Sequence, residues 1–321
     1  MGRAWVSDAS FSFSRHTIDS IDALKNPVDG ANAEIVQLGS GQISGNLSRA
    51  TIGDVSFSKG SFSLPIRASG VLSETRLTVG VILECSGCLR ARQGTGHRGD
   101  FLIHPPGFDH HCVFTSGASF AGLCIDTIDM AAIFNREGRL ADPSFWTRPI
   151  QCRPHDHRAA AELERRLRLV FAHLASQKSL PVSTGDFLKM SVVEAFAAPV
   201  IDASVASQSS STASAIKIVS EVENYVDGRS FRLVHISELC GHLKISRRTL
   251  HRCFDDALGI GPGTFLRQKR LCSVHSMLRR LDPRTANVTQ VATDFGFLEL
   301  GRFAKQYRQL FGEYPNETLR K

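Results

Sequence analysis

Two short segments in the last third of the chain carry basic side chains at helical spacing. In the first segment, Arg248, His251 and Arg252 fall on one face of a predicted helix, and Arg247 lies near its N-terminal end. Arginine can pair in a bidentate manner with the O6 and N7 atoms of guanine, and histidine can reach a base edge or a phosphate. This helix face therefore has side chains suited to binding DNA.

The second basic segment, residues 299–311, has the same character. Its predicted outer face carries Arg302, Lys305, Gln306 and Arg308. Arg302 and Lys305 are the best candidates for base contacts. Arg308 is expected to grip a phosphate, because contacts to the backbone fix the orientation of a protein on the duplex.

Each basic helix follows a shorter helix and a tight turn, which is the arrangement that places side chains in the major groove. In the first unit Ser246 can cap the basic helix, while Leu250 and Phe254 point inward four residues apart. In the second unit Asn287 can cap the shorter helix, and Gly296 supplies the positive φ at which a helix ends sharply. The sequence therefore predicts two helix-turn-helix units.

A further helix, predicted over residues 263–280, connects the two units. A stiff connector would hold both reading helices against one face of the DNA, about one helical turn or ~34 Å apart.

The net charge of +7 is concentrated in the segment that carries these units. Residues 213–321 contain 18 Lys and Arg against 11 Asp and Glu, so the whole excess of positive charge lies there. A cationic domain gains affinity for phosphates by releasing counterions. The charge distribution thus favours double-stranded DNA as a partner.

Length and composition point to a globular chain. With 321 residues, 42% of them hydrophobic and 21% charged, about two domains are expected. No apolar run approaches the ~18 residues of a membrane span, and the N-terminus lacks the apolar core of an export signal. We expect no membrane partner and a cytoplasmic location, associated with the nucleoid when DNA is bound.

The N-terminal half has a different pattern of apolar and polar residues. Residues 10–150 alternate short apolar runs with Gly, Ser, Asn and Pro, which indicates an antiparallel β sandwich or barrel. Apolar residues at helical spacing over 157–176 and 183–201 predict two helices that either cover this barrel or pair with a second subunit. Residues 202–214 are rich in Ser and Ala and almost uncharged, which predicts a flexible linker. The predicted parts are a β domain with its helices (1–201, helices within 157–201), a linker (202–214) and an all-α domain (215–321).

Histidine and cysteine side chains could bind a metal, but their spacing argues against it. Cys85 and Cys88 form one C-x-x-C pair, and no second pair follows at a zinc-ribbon distance. His104, His110 and His111 flank a Pro-Pro-Gly turn without partners upstream. We expect reduced thiols, histidines that line a turn or pocket, and neither a metal nor a cofactor.

Residues 215–321 resemble the DNA-binding domain of the AraC/XylS family of bacterial transcription regulators. The most specific stretch runs from Val291-Ala292 through Gly296-Phe297 to Gly312 and Pro315. Residues 300–313 are similar to the XylS-like branch, whose best-known members respond to aromatic acids. The resemblance implies base contacts from Arg248, His251 and Arg252 on the first reading helix, and from Arg302 and Lys305 on the second.

Two positions depart from the family pattern. Lys244 stands where the first turn often has Gly, which implies some backbone strain. Gly301 stands where the second reading helix often has a polar residue, so fewer side chains are expected to read that half-site.

Residues 99–110 resemble the second cupin motif, in which a Pro-x-Gly turn joins two strands of a barrel. A barrel of this size can hold one small molecule. Barrels of this kind precede the DNA-binding domain in many AraC relatives, so the resemblance implies an effector of unknown identity within residues 1–201.

The sequence therefore predicts an α+β chain: a cupin-like antiparallel β barrel with two helices, then an all-α domain of two helix-turn-helix units. The predicted function is a sequence-specific, effector-controlled transcription regulator and not an enzyme. Activators are the expected class by resemblance, and the sequence itself does not distinguish activation from repression. Its expected partners are promoter DNA, a small-molecule effector, RNA polymerase and a second copy of the chain. The alternatives are a cupin-type metalloenzyme with an accessory basic domain and an effector-independent DNA-binding protein.

Overall fold

Alternating apolar and polar residues build the N-terminal half into two antiparallel sheets. The structure is a computed structural model that describes residues 10–28, 31–134, 138–156, 158–201, 203–205, 210–229 and 233–321. The strands of these residues are β1 (Phe11–Ile18), β2 (Glu34–Gln37), β3 (Gly45–Ile52), β4 (Val55–Phe62), β5 (Ile66–Val71), β6 (Leu77–Cys85), β7 (Leu89–Ala91), β8 (Gly94–Gly96), β9 (Phe101–His104), β10 (Asp109–Phe114), β11 (Ala118–Ile125), β12 (Ile150–Arg153) and β13 (Ser204–Val205).

The larger sheet has the strand order β1-β3-β4-β11-β6-β9-β12-β13, and the smaller sheet has the order β2-β5-β10-β7-β8. The paired strands run antiparallel, as in β6 with β9 and β10 with β5. The predicted antiparallel β domain is confirmed, and the Pro-Pro-Gly turn joins β9 to β10 as the cupin-like motif implied.

Among the described residues, the α-helices that accompany the sheets are α1 (Thr127–Ile133), α2 (Ala159–Ser176) and α3 (Val182–Ile201). The apolar stripe of α2, including Leu163 and Leu167, is buried in a core shared with the larger sheet. Phe171 of α2 stacks on Phe57 of β4 with ring centroids 5.4 Å apart. The inner face of α2 therefore covers the sheet, which is one of the two roles predicted for these helices.

The C-terminal half is all α. Its helices are α4 (Ser210–Asp227), α5 (Ile236–Leu243), α6 (Arg247–Leu258), α7 (Pro262–Leu278), α8 (Val288–Asp294), α9 (Leu300–Phe311) and α10 (Pro315–Leu319). Helices α5 and α6 form one helix-turn-helix unit, α8 and α9 form the other, and α7 joins them, as predicted. In the described part of the chain, no helix combines the length and apolarity that a bilayer crossing needs.

Part of the predicted linker, residues 202–214, has regular secondary structure. Ser204 and Val205 pair with β12, and helix α4 already begins at Ser210. Residues 206–209 lie outside the described residues. Ser and Ala are compatible with a helix once its neighbouring turns are packed, and Ala215 and Ile216 of α4 are buried.

The two halves share a continuous apolar core. Side chains of the smaller sheet and its preceding loops are buried in the same cluster as side chains of α4, α6, α7 and α9. Polar contacts also cross this boundary: Lys269 of α7 pairs with Glu34 of β2, and Gln268 Nε2 donates to the Leu38 carbonyl at 3.2 Å. The C-terminal domain therefore docks on the smaller sheet.

At the centre of this boundary lies a buried ion pair between β5 and α4. The Arg67 guanidinium is fully buried and donates to Glu223 Oε2 at 2.7 Å, where the Glu223 side chain is 3% exposed. It also donates to the Ala68 and Cys112 carbonyls. Removing one partner of such a pair leaves an uncompensated charge in the interior, which is strongly destabilising.

We expect Glu223→Gln to lower the free energy of unfolding by about 3 kcal/mol or more, because the Arg67 charge stays buried without its counter-charge. Glu221→Gln is the matched control: Glu221 lies on the same helix in an exposed ion pair with Lys217, and exposed pairs contribute about 0–1 kcal/mol. Urea denaturation of the full chain measures both. Equal losses in the two variants would contradict the role assigned to the pair.

Candidate nucleic-acid interface and ligand cavity

The first reading helix, α6, is fixed by a cap and an apolar inner face. Ser246 Oγ accepts from the Thr249 amide at 3.0 Å, as predicted. Leu250 and Phe254 are fully buried, with the Phe254 ring 5.6 Å from that of Phe265 in α7. These contacts leave the opposite face in solvent, where the predicted DNA-binding side chains Arg247, Arg248, His251 and Arg252 are all exposed.

The turn before α6 contains the departure noted at Lys244. This residue adopts φ +54° and ψ +39°, in the left-handed region that favours glycine. Its amide donates to the Cys240 carbonyl and ends α5. The backbone strain predicted for this turn is therefore located at one residue.

The second reading helix, α9, presents a matching outer face. Phe303, Tyr307 and Leu310 are buried against the domain core. The predicted DNA-binding residues Arg302, Lys305 and Arg308 are exposed, and Gln306 is half-buried. Arg302 lies 3.8 Å from Glu299 in an exposed pair, and such pairs hold a side chain only weakly.

Two further features distinguish α9 from α6. Arg308 donates to the Tyr314 hydroxyl at 2.7 Å and lies over the Tyr314 ring, so its guanidinium is held in place. Gly301 is exposed, and a Cβ at this position would meet nothing within 4 Å. The outer face thus has a gap where a further contacting side chain would fit.

The β domain binds the C-terminal end of each reading helix. From β7, the Arg90 guanidinium donates to the Asp256 and Ala257 carbonyls of α6, at 2.9 and 3.1 Å. Both Gln37 Nε2 and the Gly41 amide donate to the Leu310 carbonyl of α9, at 2.5 and 3.0 Å. The last carbonyls of a helix lack partners within the helix, so these donors satisfy groups that would otherwise need water. No sequence signal predicted these contacts.

Between the two sheets lies an apolar cavity of about 120 Å³. Its walls come from β2, β5, β7 and β10 on one side and from β4, β6, β9 and β11 on the other. The aliphatic and aromatic lining includes Ile35, Phe62, Ile66, Ala68, Leu89, Leu102, Phe114 and Phe120. The sequence implied a barrel interior of this kind but did not identify the lining.

A few polar side chains interrupt the apolar lining. Thr78 of β6 lies opposite His104 of β9 in the strand register, and His110 follows on β10. The buried atoms Thr78 Oγ1 and His104 Nδ1 have no hydrogen-bond partner among the described residues. The His104 and His110 rings have centroids 5.7 Å apart.

The histidines of this region are held neutral. Burial lowers the pKa of His104 to about 3. Burial, reinforced by the nearby Arg67 charge, lowers the pKa of His110 and of His111 to about 4 each. His111 Nδ1 accepts from Arg67, so its proton lies on Nε2, which donates to Asp109 at 2.8 Å.

Residues that could bind a metal are not brought together in the described part of the chain. No group of three or more His, Cys, Asp and Glu side chains has an arrangement suited to a metal ion there. The eight cysteines, including Cys85 and Cys88, are free thiols.

Comparison with known proteins supports the identification of the C-terminal half. A family model described as a helix-turn-helix domain matches residues 239–321. The XylDLEGF operon transcriptional activator 2 of Pseudomonas putida is 37% identical over 103 residues, which are 32% of this chain and 63% of that protein. Another XylDLEGF operon transcriptional activator of Pseudomonas putida is 34% identical over 99 residues, 31% of each chain. The probable thc operon regulatory protein of Rhodococcus erythropolis is 33% identical over 103 residues, 32% of this chain and 31% of that protein.

The matching segment spans about a third of the length of two of these relatives and less than two thirds of the third. Solved structures are similar at a lower level. The AraC-like transcriptional activator CuxR has a TM-score of 0.40 and 14% identity, covering 75% of this chain and 89% of that chain. ToxT from Vibrio cholerae has a TM-score of 0.33 and 10% identity, covering 97% and 98%. These scores are too low to establish a shared fold.

Two capped helix-turn-helix units, a connecting helix and two exposed basic faces define the C-terminal half as a DNA-binding domain with two reading helices. This domain is similar to the operon activators of Pseudomonas putida, as the resemblance to the AraC/XylS family implied. The predicted resemblance is thereby confirmed over the C-terminal third of the chain.

The neutral histidines predict a pH dependence of stability. Between about pH 4 and 6.5 the unfolded chain binds protons that the folded chain excludes, so the free energy of unfolding falls as the pH is lowered through this range. His104→Phe removes one such site and should reduce the slope by about 1.36 kcal/mol per pH unit. Phe108→Leu alters packing beside the same ring without removing a titrating group, so it should leave the slope of the free energy of unfolding against pH unchanged. Urea denaturation at several pH values measures this slope. An unchanged slope in His104→Phe would contradict a lowered pKa for His104.

Proposed function

We propose that this chain is a sequence-specific DNA-binding transcription regulator and not an enzyme. The observation that carries the proposal is the pair of reading helices, each anchored by buried aromatic side chains and each presenting basic side chains to solvent. Relatives of the C-terminal domain are named as operon activators, so activation of transcription is the expected direction. The expected location is the cytoplasm, on promoter DNA.

The exposed side chains divide into two roles. Arg248, His251 and Arg252 on α6 read base edges, assisted by Arg247 near the positive N-terminal end of the helix. On α9, Arg302 and Lys305 read bases, and the half-buried Gln306 contributes a further polar contact to the DNA. Arg308 contacts a phosphate, for which its position against Tyr314 orders it in advance.

We further propose that a small molecule in the cavity of the β domain controls DNA binding. A ligand shifts an equilibrium only if it prefers one arrangement of the two halves. The contacts from Arg90 to α6, and from Gln37 and Gly41 to α9, depend on the shape of the β domain. A change in that shape would alter how the two reading helices are held relative to each other.

Two protein partners belong to the same proposal. RNA polymerase is the expected partner of a promoter-bound activator. A second copy of this chain is the expected partner of α2 and α3, whose outer face exposes Leu169 (57%) and Phe187 (71%). Pairing through these helices stays a prediction.

Arg248→Ala and Arg302→Ala should each cost about 1–3 kcal/mol of specific binding free energy and relax the preference at one base position. The reason is the loss of one bidentate contact to a base. Selection of binding sites from a random DNA library defines the preferred site, and fluorescence anisotropy then compares it with single-base variants.

Arg284→Ala is the matched control for these two variants, because Arg284 is an exposed arginine outside both reading helices. It should bind like the unmodified chain. If Arg248→Ala or Arg302→Ala instead weakened binding equally on all DNA sequences, the residue would be a phosphate contact and its assignment to base reading would be wrong.

Arg308→Ala should weaken binding on all sequences alike and reduce the salt dependence. Loss of one phosphate contact lowers the slope of log K against log salt by about 0.9. Titrations at four or more salt concentrations give this slope for the variant, the unmodified chain and Arg284→Ala. A slope unchanged in Arg308→Ala would exclude the phosphate contact.

A further inference from the structure

We propose that the cavity of the β domain binds an uncharged molecule of about one ring, with an apolar body and a single hydroxyl-type group held between Thr78 and His104. This inference rests on the proposed function and specifies the chemical class of its effector. Three observations carry it: the size of the cavity, the absence of a counter-charge in its described lining, and two unpartnered polar atoms on opposite strands.

The size limits the ligand. The cavity measures about 120 Å³. An apolar protein cavity of roughly 150 Å³ accommodates a benzene-sized molecule. A single six-membered ring is therefore about the largest body that fits without movement of the lining, and a short substituent requires a small displacement of the surrounding side chains.

The electrostatics of the lining disfavour a charged ligand. Among the described residues that line the cavity, there is no Lys, Arg, Asp or Glu. Arg67 extends from the opposite face of β5, where Glu223 neutralises it. A carboxylate or ammonium group in the cavity would lose its hydration without gaining an opposite charge, which is a large penalty.

The two polar atoms specify one hydrogen-bonding group. Thr78 is 2% exposed and lies directly opposite His104 in the pairing of β6 with β9. Thr78 Oγ1 and His104 Nδ1 are both buried, and neither finds a partner in the part of the chain that the structure describes. An unpaired buried polar group is costly, and a ligand hydroxyl that both donates and accepts would satisfy both atoms. The unpaired Thr78 and His104 atoms thus destabilise the ligand-free protein, and a ligand with a hydroxyl group removes this destabilisation.

His110 adds a further acceptor at the cavity wall. Its Nδ1 donates to the Gly70 carbonyl, so in the neutral ring Nε2 carries no proton and can only accept. A ligand with a donor is therefore favoured over one with acceptors alone. A carboxylate, which only accepts, has the wrong hydrogen-bonding character as well as the wrong charge.

Four probes of similar size separate the contributions of apolar contact, hydrogen bonding and charge: benzyl alcohol, ethylbenzene, benzoate and benzylammonium. Isothermal titration calorimetry of the full chain at pH 7.5 measures the affinity of each. We expect benzyl alcohol to bind tightest, ethylbenzene about 3- to 10-fold more weakly, and both ions at least about 10-fold more weakly than benzyl alcohol. Benzoate or benzylammonium binding as tightly as benzyl alcohol would overturn the proposal, as would no binding of either uncharged probe.

The variant Thr78→Val tests the polar contact while keeping the shape of the side chain. It should weaken benzyl alcohol binding about 3- to 10-fold and leave ethylbenzene binding within about twofold. Thr17→Val makes the same chemical change on an exposed position of β1, outside the cavity, and should change neither affinity. Equal loss for both probes in Thr78→Val would assign the effect to packing and overturn the role of the hydroxyl.

DNA binding of the same preparations distinguishes a wrong ligand class from a wrong proposed function. If the chain selects a DNA sequence but the uncharged probes do not bind, the ligand class is wrong and the proposed regulator stands. If the chain selects no DNA sequence, the proposed function fails, whatever the probes do.

Discussion

The ion pair between Arg67 and Glu223 is the constraint on which the arrangement of the two halves depends. A guanidinium cannot lose its proton, so once buried it must be surrounded by acceptors. Arg67 finds them on its own strand, on β10 and on α4. Because α4 is thereby held on the smaller sheet, the helices that follow it pack against the same surface, and both reading helices end at donors from the β domain.

Much of the DNA-binding domain could be predicted because its signals are local. Caps such as Ser246 and Asn287, the inward pair Leu250 and Phe254, and the glycine at position 296 each act within one or two turns of helix. The exposed basic faces follow directly from the buried ones. Even the strained backbone at Lys244 could be expected from its place in the turn.

The cavity and the boundary between the halves could not be predicted, because their residues are distant in sequence. Thr78 and His104 become neighbours only through the pairing of β6 with β9, and Gln37 reaches Leu310 across 273 residues. A charged residue in a strand normally indicates a solvent-facing side, so Arg67 gave no sign of burial. The predicted linker was too long for a related reason: Ser and Ala carry little information about packing, and α4 is stabilised by the sheet it covers.

Neighbouring positions of β5 face different environments. Ile66 and Ala68 of β5 belong to the cavity lining, whereas Arg67 between them pairs with Glu223 of α4. On β10, His111 belongs to the lining and also contacts Arg67 and Asp109. The alternation of side chains along β5 thus places residues that face the cavity and the residue that contacts α4 at neighbouring positions on opposite faces of one strand. Under the proposed effector control, an engineer who builds a biosensor from this chain can adjust ligand preference at the cavity-facing positions. The strength of the response is then adjustable on the opposite face, so the two properties can be evolved in separate libraries.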